Sequence, residues 1–261
     1  MDLSLKNRTA LVCGATQGIG RATANELAKL GSNVIVAARR EAELQAVVAE
    51  LSNDGEQQHE YLILDMADHQ TLTERLSKRL ANGAIEILIH NTGGPQAGKI
   101  SQASAQNFEE ALQQHLLSAR LMAELMLPGM KQQGFGRFVY VTSTSVKIPI
   151  PNLGVSNTVR WAVSAWAKTL SQEVAADGIT ANIVMPGFTQ TPRLDSLVAN
   201  QAKNLNKSET EVMQNMTATI PARRVGEASE VANAIAFVAS PAASYMNGVS
   251  LAVDGGRTGC L

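Results

Sequence analysis

The chain has 261 residues, 45% of them hydrophobic, and its 22 Lys and Arg against 23 Asp and Glu give a net charge of −1. This length and composition indicate one globular domain over 1–261 with a large buried core. A near-neutral chain with only 4% aromatic residues lacks the basic surface and stacking side chains that nucleic acid binding requires. We therefore expect no nucleic acid partner.

The cysteines and the hydropathy pattern bear on metal binding, location and membrane association. Cys13 and Cys260 lie far apart and outside any zinc-binding spacing, so we expect no metal site and a reducing, cytoplasmic location. No apolar stretch approaches the roughly 20 residues of a membrane span, and the first residues lack the layout of a signal peptide. We expect no membrane partner.

Short apolar segments alternate with longer segments of helical period. Strands are predicted at 9–13, 33–38, 60–64, 86–90, 137–142, 179–185 and 250–253, and several are apolar throughout, as is typical of strands covered on both faces. Helices are predicted at 20–30, 41–51, 71–80 and 106–131, ended by Gly31, Asn53-Asp54-Gly55, Asn82-Gly83 and Gly134. This alternation predicts a Rossmann-type, doubly wound parallel sheet in a three-layer α/β/α fold.

The stretch from Pro186 to Arg224 breaks this rhythm with a polar, helix-prone segment at 196–216. Because it follows the sixth strand, we predict a substrate lid over about 187–222 at the carboxyl edge of the sheet. A surface excursion without a role is the alternative.

The first strand leads into a glycine-rich turn and then a helix. Glycines at this point allow a tight turn and let a pyrophosphate approach the free N–H groups of the helix. The context predicts a dinucleotide site, although a glycine-rich turn without a ligand is the alternative. The predicted cofactor contacts here are Gly14, Thr16, Gln17, Gly18, Ile19 and Gly20.

The end of the second strand indicates which nucleotide binds. An NAD site would place Asp or Glu there, whereas this chain has Arg39 and Arg40. A guanidinium binds a 2′-phosphate that a carboxylate would repel, so we predict NADP(H), with Arg39 as the main contact. The alternative is that both arginines are solvated charges at the start of a helix.

With these motifs the chain resembles the short-chain dehydrogenase/reductase family, particularly its 3-oxoacyl-[acyl-carrier-protein] reductase branch, along its whole length. The further motifs are Leu64-Asp65, His90-Asn91-Thr92-Gly93, Pro186-Gly187-Phe188-Thr189, Asn247-Gly248 and Val253-Asp254-Gly255-Gly256. The resemblance implies a homodimer or homotetramer, with Trp161 and Trp166 packed in the core or at the interface. It also implies cofactor contacts from Asp65, Met66, Asn91, Gly93, Arg160, Pro186, Gly187 and Thr189.

The resemblance is incomplete at the catalytic residues. The family uses a Ser, a Tyr thirteen residues later, a Lys four residues after that, and an Asn on the preceding long helix. Ser143 occupies the Ser position, but Ser156 and Arg160 replace the Tyr and Lys, and His115 stands at the Asn position. The stretch from Ser143 to Arg160 resembles an atypical branch of the family with the same Ser and Arg arrangement.

These replacements remove the usual proton donor. A serine hydroxyl is a much weaker acid than the family's Tyr, and an arginine does not relay protons near neutral pH. Lys147 is our first candidate for the donor, and His115 is the second because imidazole titrates near neutral pH. The alternatives are a solvated charge for Lys147, a hydrogen-bonded buried histidine for His115, and a helix-start residue rather than a substrate contact for Ser156.

The leading prediction is an NADPH-dependent oxidoreductase that acts on a carbonyl or alcohol, either a small molecule or a 3-oxoacyl thioester. Its predicted catalytic residues are Ser143, Lys147, Ser156, Arg160 and His115. Two alternatives stay open. One is a catalytically impaired nucleotide-binding or scaffolding protein of the same fold. The other is a protein that keeps NADP(H) but performs a non-redox step.

Overall fold

The computed structural model describes residues 1–54 and 56–260, so Gly55 of one predicted turn and the last residue of the predicted domain lie outside the described residues. Seven parallel strands in these ranges form one sheet in the order β3-β2-β1-β4-β5-β6-β7. The doubly wound parallel sheet predicted from the sequence is confirmed. The strands are β1 (Thr9–Cys13), β2 (Asn33–Ala38), β3 (Glu60–Ile63), β4 (Ile87–His90), β5 (Gly136–Val141), β6 (Ile179–Pro186) and β7 (Ser250–Val253).

Helices cover both faces of this sheet. They are α1 (Gly18–Lys29), α2 (Glu41–Glu50), α3 (His69–Leu80), α4 (Ala105–Leu112), α5 (Ser118–Gln133), α6 (Gly154–Val174), α7 (Pro192–Leu205), α8 (Glu209–Ala218) and α9 (Ala228–Ala239). None of the helices in the two described ranges is long and apolar enough to cross a lipid bilayer.

Two hydrophobic clusters lie on opposite faces of the sheet, because successive side chains of a strand point to opposite sides. Leu11 of β1 packs in the cluster that includes Met126 of α5 and Val163 of α6. Its neighbour Val12 packs in the cluster that includes Leu27 of α1 and Ile235 of α9. The result is the predicted three-layer α/β/α arrangement.

Two predicted helices differ from the observed ones. The helix predicted at 106–131 comprises α4, a π-helical turn over Gln113–Leu117, and α5, which Gly134 ends in the left-handed conformation. The helix predicted at 196–216 is divided into α7 and α8 by Asn206, which has a positive φ of 51°. Ser208 then begins α8 with a reciprocal capping box to Glu211.

The strand order positions the functional site. From the adjacent strands β1 and β4 the chain winds outward in opposite directions, toward β3 and toward β7. In sheets of this kind a crevice opens beyond the carboxyl ends of the strands at the point where the order reverses.

Candidate functional site

A cavity of about 580 Å³ lies at this crevice. Its lining residues come mainly from the loops that follow β1 to β6, from α6, from the first two turns of α7 and from Arg257 after β7. The predicted site residues that line it are Gly14, Thr16, Gln17, Gly18, Ile19, Arg39, Arg40, Asp65, Met66, Asn91, Gly93, Ser143, Ser156, Arg160, Pro186, Gly187 and Thr189. Gly20, Lys147 and His115 are not among the lining residues.

The turn after β1 packs closely against the end of β4. Gly14 has a φ of 61°, and a Cβ at this position would lie 2.7 Å from the carbonyl oxygen of Asn91. A Cβ on Gly20 would overlap the carbonyl oxygen of Gly14. Gln17, at the N-cap of α1, makes no side-chain capping bond, so the side chain leaves the first N–H groups of the helix free. These features fit a pyrophosphate at the positive end of α1.

The two arginines after β2 differ in their contacts. Arg40 forms an ion pair with Glu43, with Nη2 and Oε2 2.6 Å apart. Arg39 makes no ion pair with any described residue, and it is exposed and lines the cavity. Of the two, Arg39 therefore has the guanidinium available for an anionic ligand.

Ser156 and Arg160 lie one turn apart on α6 and form a hydrogen bond. Arg160 Nε donates to Ser156 Oγ at 3.2 Å, and Arg160 Nη1 donates to the carbonyl oxygens of Thr142 at 2.7 Å and Val141 at 3.2 Å. Burial, followed by the positive charge of Arg193, lowers the pKa of Arg160 to about 10. The guanidinium therefore remains cationic at neutral pH, fixed against the end of β5.

Ser143 and Lys147 lie on either side of the short 3₁₀ turn Thr144–Val146, which follows β5. Ser143 is half-buried and lines the cavity, and its Oγ accepts a hydrogen bond from the N–H of Ser145 at 3.1 Å. Lys147 is half-buried outside the lining.

His115 lies in the π-helical turn, behind the loop that follows β4. Its side chain is buried, with Nδ1 2.6 Å from Thr92 Oγ1. Burial, followed by the positive charge of Arg160, lowers the pKa of His115 to about 2. The imidazole is therefore neutral at physiological pH. The reason for favouring His115 as a donor, titration near neutral pH, does not hold in the folded chain.

The site also includes residues that the sequence analysis did not single out. Gly94, Gln114, Arg193 and Arg257 line the cavity. Arg193 stands in the first turn of α7, behind its N-cap Thr191, and Arg257 stacks on the ring of Phe188 at 4.5 Å. An arginine directly after Thr191-Pro192 in the predicted lid was the available signal for Arg193.

Charge along the cavity is strongly uneven. Five arginines line it, whereas the acidic lining residue is Asp65. Within residues 1–54 and 56–260, no three His, Cys, Asp or Glu side chains are grouped so as to hold a metal ion, and Cys13 and Cys260 are free thiols. The cavity thus suits an anionic ligand that spans several strand ends.

Comparisons with known proteins show the family to which this chain belongs. The family model described as enoyl-(acyl carrier protein) reductase matches residues 14–258. The chain is 32% identical over 254 residues to a 3-oxoacyl-[acyl-carrier-protein] reductase of Haemophilus influenzae, covering 97% of this chain and 98% of the relative.

Solved structures are similar over nearly the whole chain. YwfH, an NADPH-dependent reductase involved in bacilysin biosynthesis, has a TM-score of 0.91 at 28% identity, with 97% of this chain and 99% of that chain covered. L-Sorbose reductase from Gluconobacter frateurii, solved with NADPH and L-sorbose, has a TM-score of 0.93 at 25% identity, with both chains covered completely. The chain therefore belongs to the short-chain dehydrogenase/reductase family, in the group that the enoyl-(acyl carrier protein) reductase model describes.

Proposed function

We propose that this protein is an NADPH-dependent oxidoreductase that reduces a carbonyl group. The observation that carries the proposal is the continuous cavity, which joins the glycine turn and the unpaired Arg39 to Ser143, Ser156 and Arg160. The glycine turn would hold the pyrophosphate, and Arg39 would bind the 2′-phosphate. The structural relatives solved with or named for NADPH support this choice of cofactor.

The chain's own residues would bind and polarise the carbonyl group. NADPH, when bound, supplies a hydride for the carbonyl carbon. The oxygen becomes a hydroxyl by gaining a proton. Ser143 and Ser156 would donate hydrogen bonds to this oxygen, and Arg160, whose Nε donates to Ser156 Oγ, would orient the Ser156 hydroxyl toward it.

The proton source is a separate part of the proposal. His115 is buried and neutral, and the Arg160 guanidinium stays charged at neutral pH. Lys147, four residues after Ser143 and outside the cavity lining, remains our candidate, and it would pass its proton through the Ser143 hydroxyl. An ammonium group at this position would supply the proton that the family takes from its Tyr.

Four further parts complete the proposal: the substrate class, a lid, the oligomeric state and the location. A 3-oxoacyl thioester is the finer substrate proposal, supported by the relative of Haemophilus influenzae. The segment 187–222 would act as a lid, since Phe188 and Arg193 line the cavity from it. We also propose a homodimer or homotetramer in the cytoplasm, where Cys13 and Cys260 would stay reduced.

The test of this function is deuterium transfer. The purified protein is incubated with NADPH carrying deuterium at C4 of the nicotinamide and with a panel of ketones, keto acids and 3-oxoacyl thioesters. NADPH is labelled separately at each of the two hydrogens of C4. We expect deuterium on the new carbinol carbon of one product, and from only one of these two labelled forms. Binding of NADPH without deuterium transfer to any carbonyl compound would overturn the proposal that this protein is an oxidoreductase.

That second outcome would favour a nucleotide-binding protein without catalysis. The observation behind this alternative is that Ser156 and Arg160 line the cavity, at the two positions where the resemblance implies a Tyr and a Lys. A product formed without oxidation of NADPH would instead indicate a non-redox step.

A further inference from the structure

Two guanidinium groups meet at Gly94, in the loop that follows β4. A Cβ built on Gly94 would lie 3.4 Å from Arg160 Nη2 and 3.6 Å from Arg193 Nη2. All three residues line the cavity. Arg193 contributes to the lowered pKa of Arg160, so the two positive charges act on each other. An anion between them would relieve this repulsion.

Both arginines are held by neutral groups. Arg160 is anchored by Ser156 and by two backbone carbonyls of the β5 end, and Arg193 Nη2 donates to the carbonyl oxygen of Pro95 at 2.9 Å. Neither arginine forms an ion pair with a carboxylate in the described part of the chain. The protein thus fixes two cations and leaves their charge uncompensated.

Of the other charged lining residues, Asp65, Arg39 and Arg40 follow strands far from β5, whereas Arg257 follows β7 and stacks on Phe188. Asp65 follows β3, which lies four strand positions from β5 in the sheet, a separation of about 19 Å at ~4.8 Å per strand. Arg39 and Arg40 follow β2, three positions from β5, about 14 Å by the same spacing. The arginines at Gly94 therefore serve a different part of the bound ligands from the one that Arg39 would bind.

We propose that Arg160 and Arg193 bind a carboxylate of the substrate, so that the protein reduces a carbonyl compound that carries a free carboxylate. This inference rests on the proposed function. The planar guanidinium matches a carboxylate with paired N–H donors. Ser143 and Ser156 line the same cavity, and Ser156 Oγ lies 3.2 Å from Arg160 Nε, so a carbonyl oxygen of the same small molecule would bind next to its carboxylate.

Calorimetric titration of the NADPH-saturated protein tests this assignment without requiring turnover. The probes are three acid and amide pairs of matched shape, acetate and acetamide, succinate and succinamide, and benzoate and benzamide, with methyl phosphate as a further anion. Arg193→Gln removes one cation of the pair. Lys203→Gln is the matched control, because Lys203 is exposed on the same helix and lies outside the cavity lining.

We expect at least one acid to bind about 10- to 100-fold more tightly than its amide, as a charge-assisted hydrogen bond implies. Arg193→Gln should abolish that preference without changing the NADPH affinity, and Lys203→Gln should leave both unchanged. Equal binding of all acids and amides would overturn the inference, as would methyl phosphate binding alone. A parallel loss of NADPH affinity in Arg193→Gln would assign the arginine to the cofactor site instead. Failure of the native protein to bind NADPH would refute the proposed function itself.

Discussion

Residue spacing predicted some of the side chains that line the cavity, but not how they contact one another. Counting from Ser143 identified Ser156 and Arg160, and both line the cavity. The hydrogen bond between them and the contacts of Arg160 with the end of β5 depend on side-chain geometry that spacing does not encode. Arg193 was missed because only the fold of the 187–222 segment brings it to Gly94.

Replacement of Lys147 tests the source of the proton. With a carbonyl substrate that accepts deuterium, Lys147→Ala should lower kcat at least about 100-fold, the usual contribution of a general acid. The dissociation constant for NADPH, measured by calorimetry, should stay within about twofold because Lys147 lies outside the cavity lining. Lys78→Ala, on the exposed surface of α3, is the control. An unchanged kcat would remove Lys147 from the mechanism.

Two buried histidines make stability depend on pH. Burial, followed by the positive charge of Arg160, lowers the pKa of His90 to about 4 and that of His115 to about 2. Below pH ~6.5 the histidines of the unfolded chain bind protons, whereas those of the folded chain stay neutral. The free energy of unfolding is therefore highest above pH ~6.5 and falls as the pH falls toward the folded pKa values. The loss between pH 7 and pH 5 is about 2 kcal/mol per histidine.

Urea unfolding of the native protein and of His115→Gln at pH 7 and pH 5 measures this effect. We expect the variant to lose about 2 kcal/mol less than the native protein over this interval, because one of the two histidines is gone. Equal losses in both proteins would show that His115 does not carry this pH dependence.

The strands could be predicted from sequence because each is a short apolar run, as buried parallel strands are. The predicted and observed bounds of β1, β2 and β7 coincide. The π-helical turn at Gln113–Leu117 could not be predicted from the sequence. Its changed backbone hydrogen bonding accompanies tertiary contacts, such as that of His115 with Thr92. The break at Asn206 was missed because Asn tolerates both helical and left-handed backbone.

The segment formed by α7 and α8 has a small core of its own. Leu194, Val198, Ala202 and Val212 form a cluster separate from the two clusters on the sheet. Elements with so little shared core open locally without unfolding of the whole protein.

Hydrogen exchange tests whether this segment behaves as a lid. Amides of α7 and α8 should exchange faster than those of β4 and β5, and saturation with NADPH should slow them because residues before and within α7 line the cavity. Amides of α9, which contributes no lining residue, serve as the internal control. Exchange in α7 that is as slow as in the sheet, or insensitive to NADPH, would refute the lid.

At the scale of the whole molecule, the net charge does not indicate the local concentration of positive charge at the cavity. The chain is nearly neutral, yet five arginines gather at one cavity. Charge counted along the sequence excluded nucleic acid as an expected partner, but it gave no sign of this local concentration, which only the parallel order of the strand ends creates.

Association of copies of the chain is expected along α5 and α6. Leu127, Trp166 and Leu170 line a shallow groove there, among charged residues of both signs. Leu127→Glu places a charge in this groove and should lower the mass measured by sedimentation from that of a dimer or tetramer. Leu205→Glu, at an exposed leucine ending α7, should leave the mass unchanged. A native protein that sediments as a monomer would contradict the expectation.

The most direct test of the account is a calorimetric titration of the protein with NADPH and, separately, with NADH, repeated for Arg39→Ala and Arg40→Ala. We predict that NADPH binds at least about 10-fold more tightly than NADH, through charge-assisted bonds from Arg39 to the 2′-phosphate. Arg39→Ala should remove that preference, and Arg40→Ala should weaken it less because Arg40 is paired with Glu43. Binding of neither nucleotide, or equal binding of both, would contradict the account.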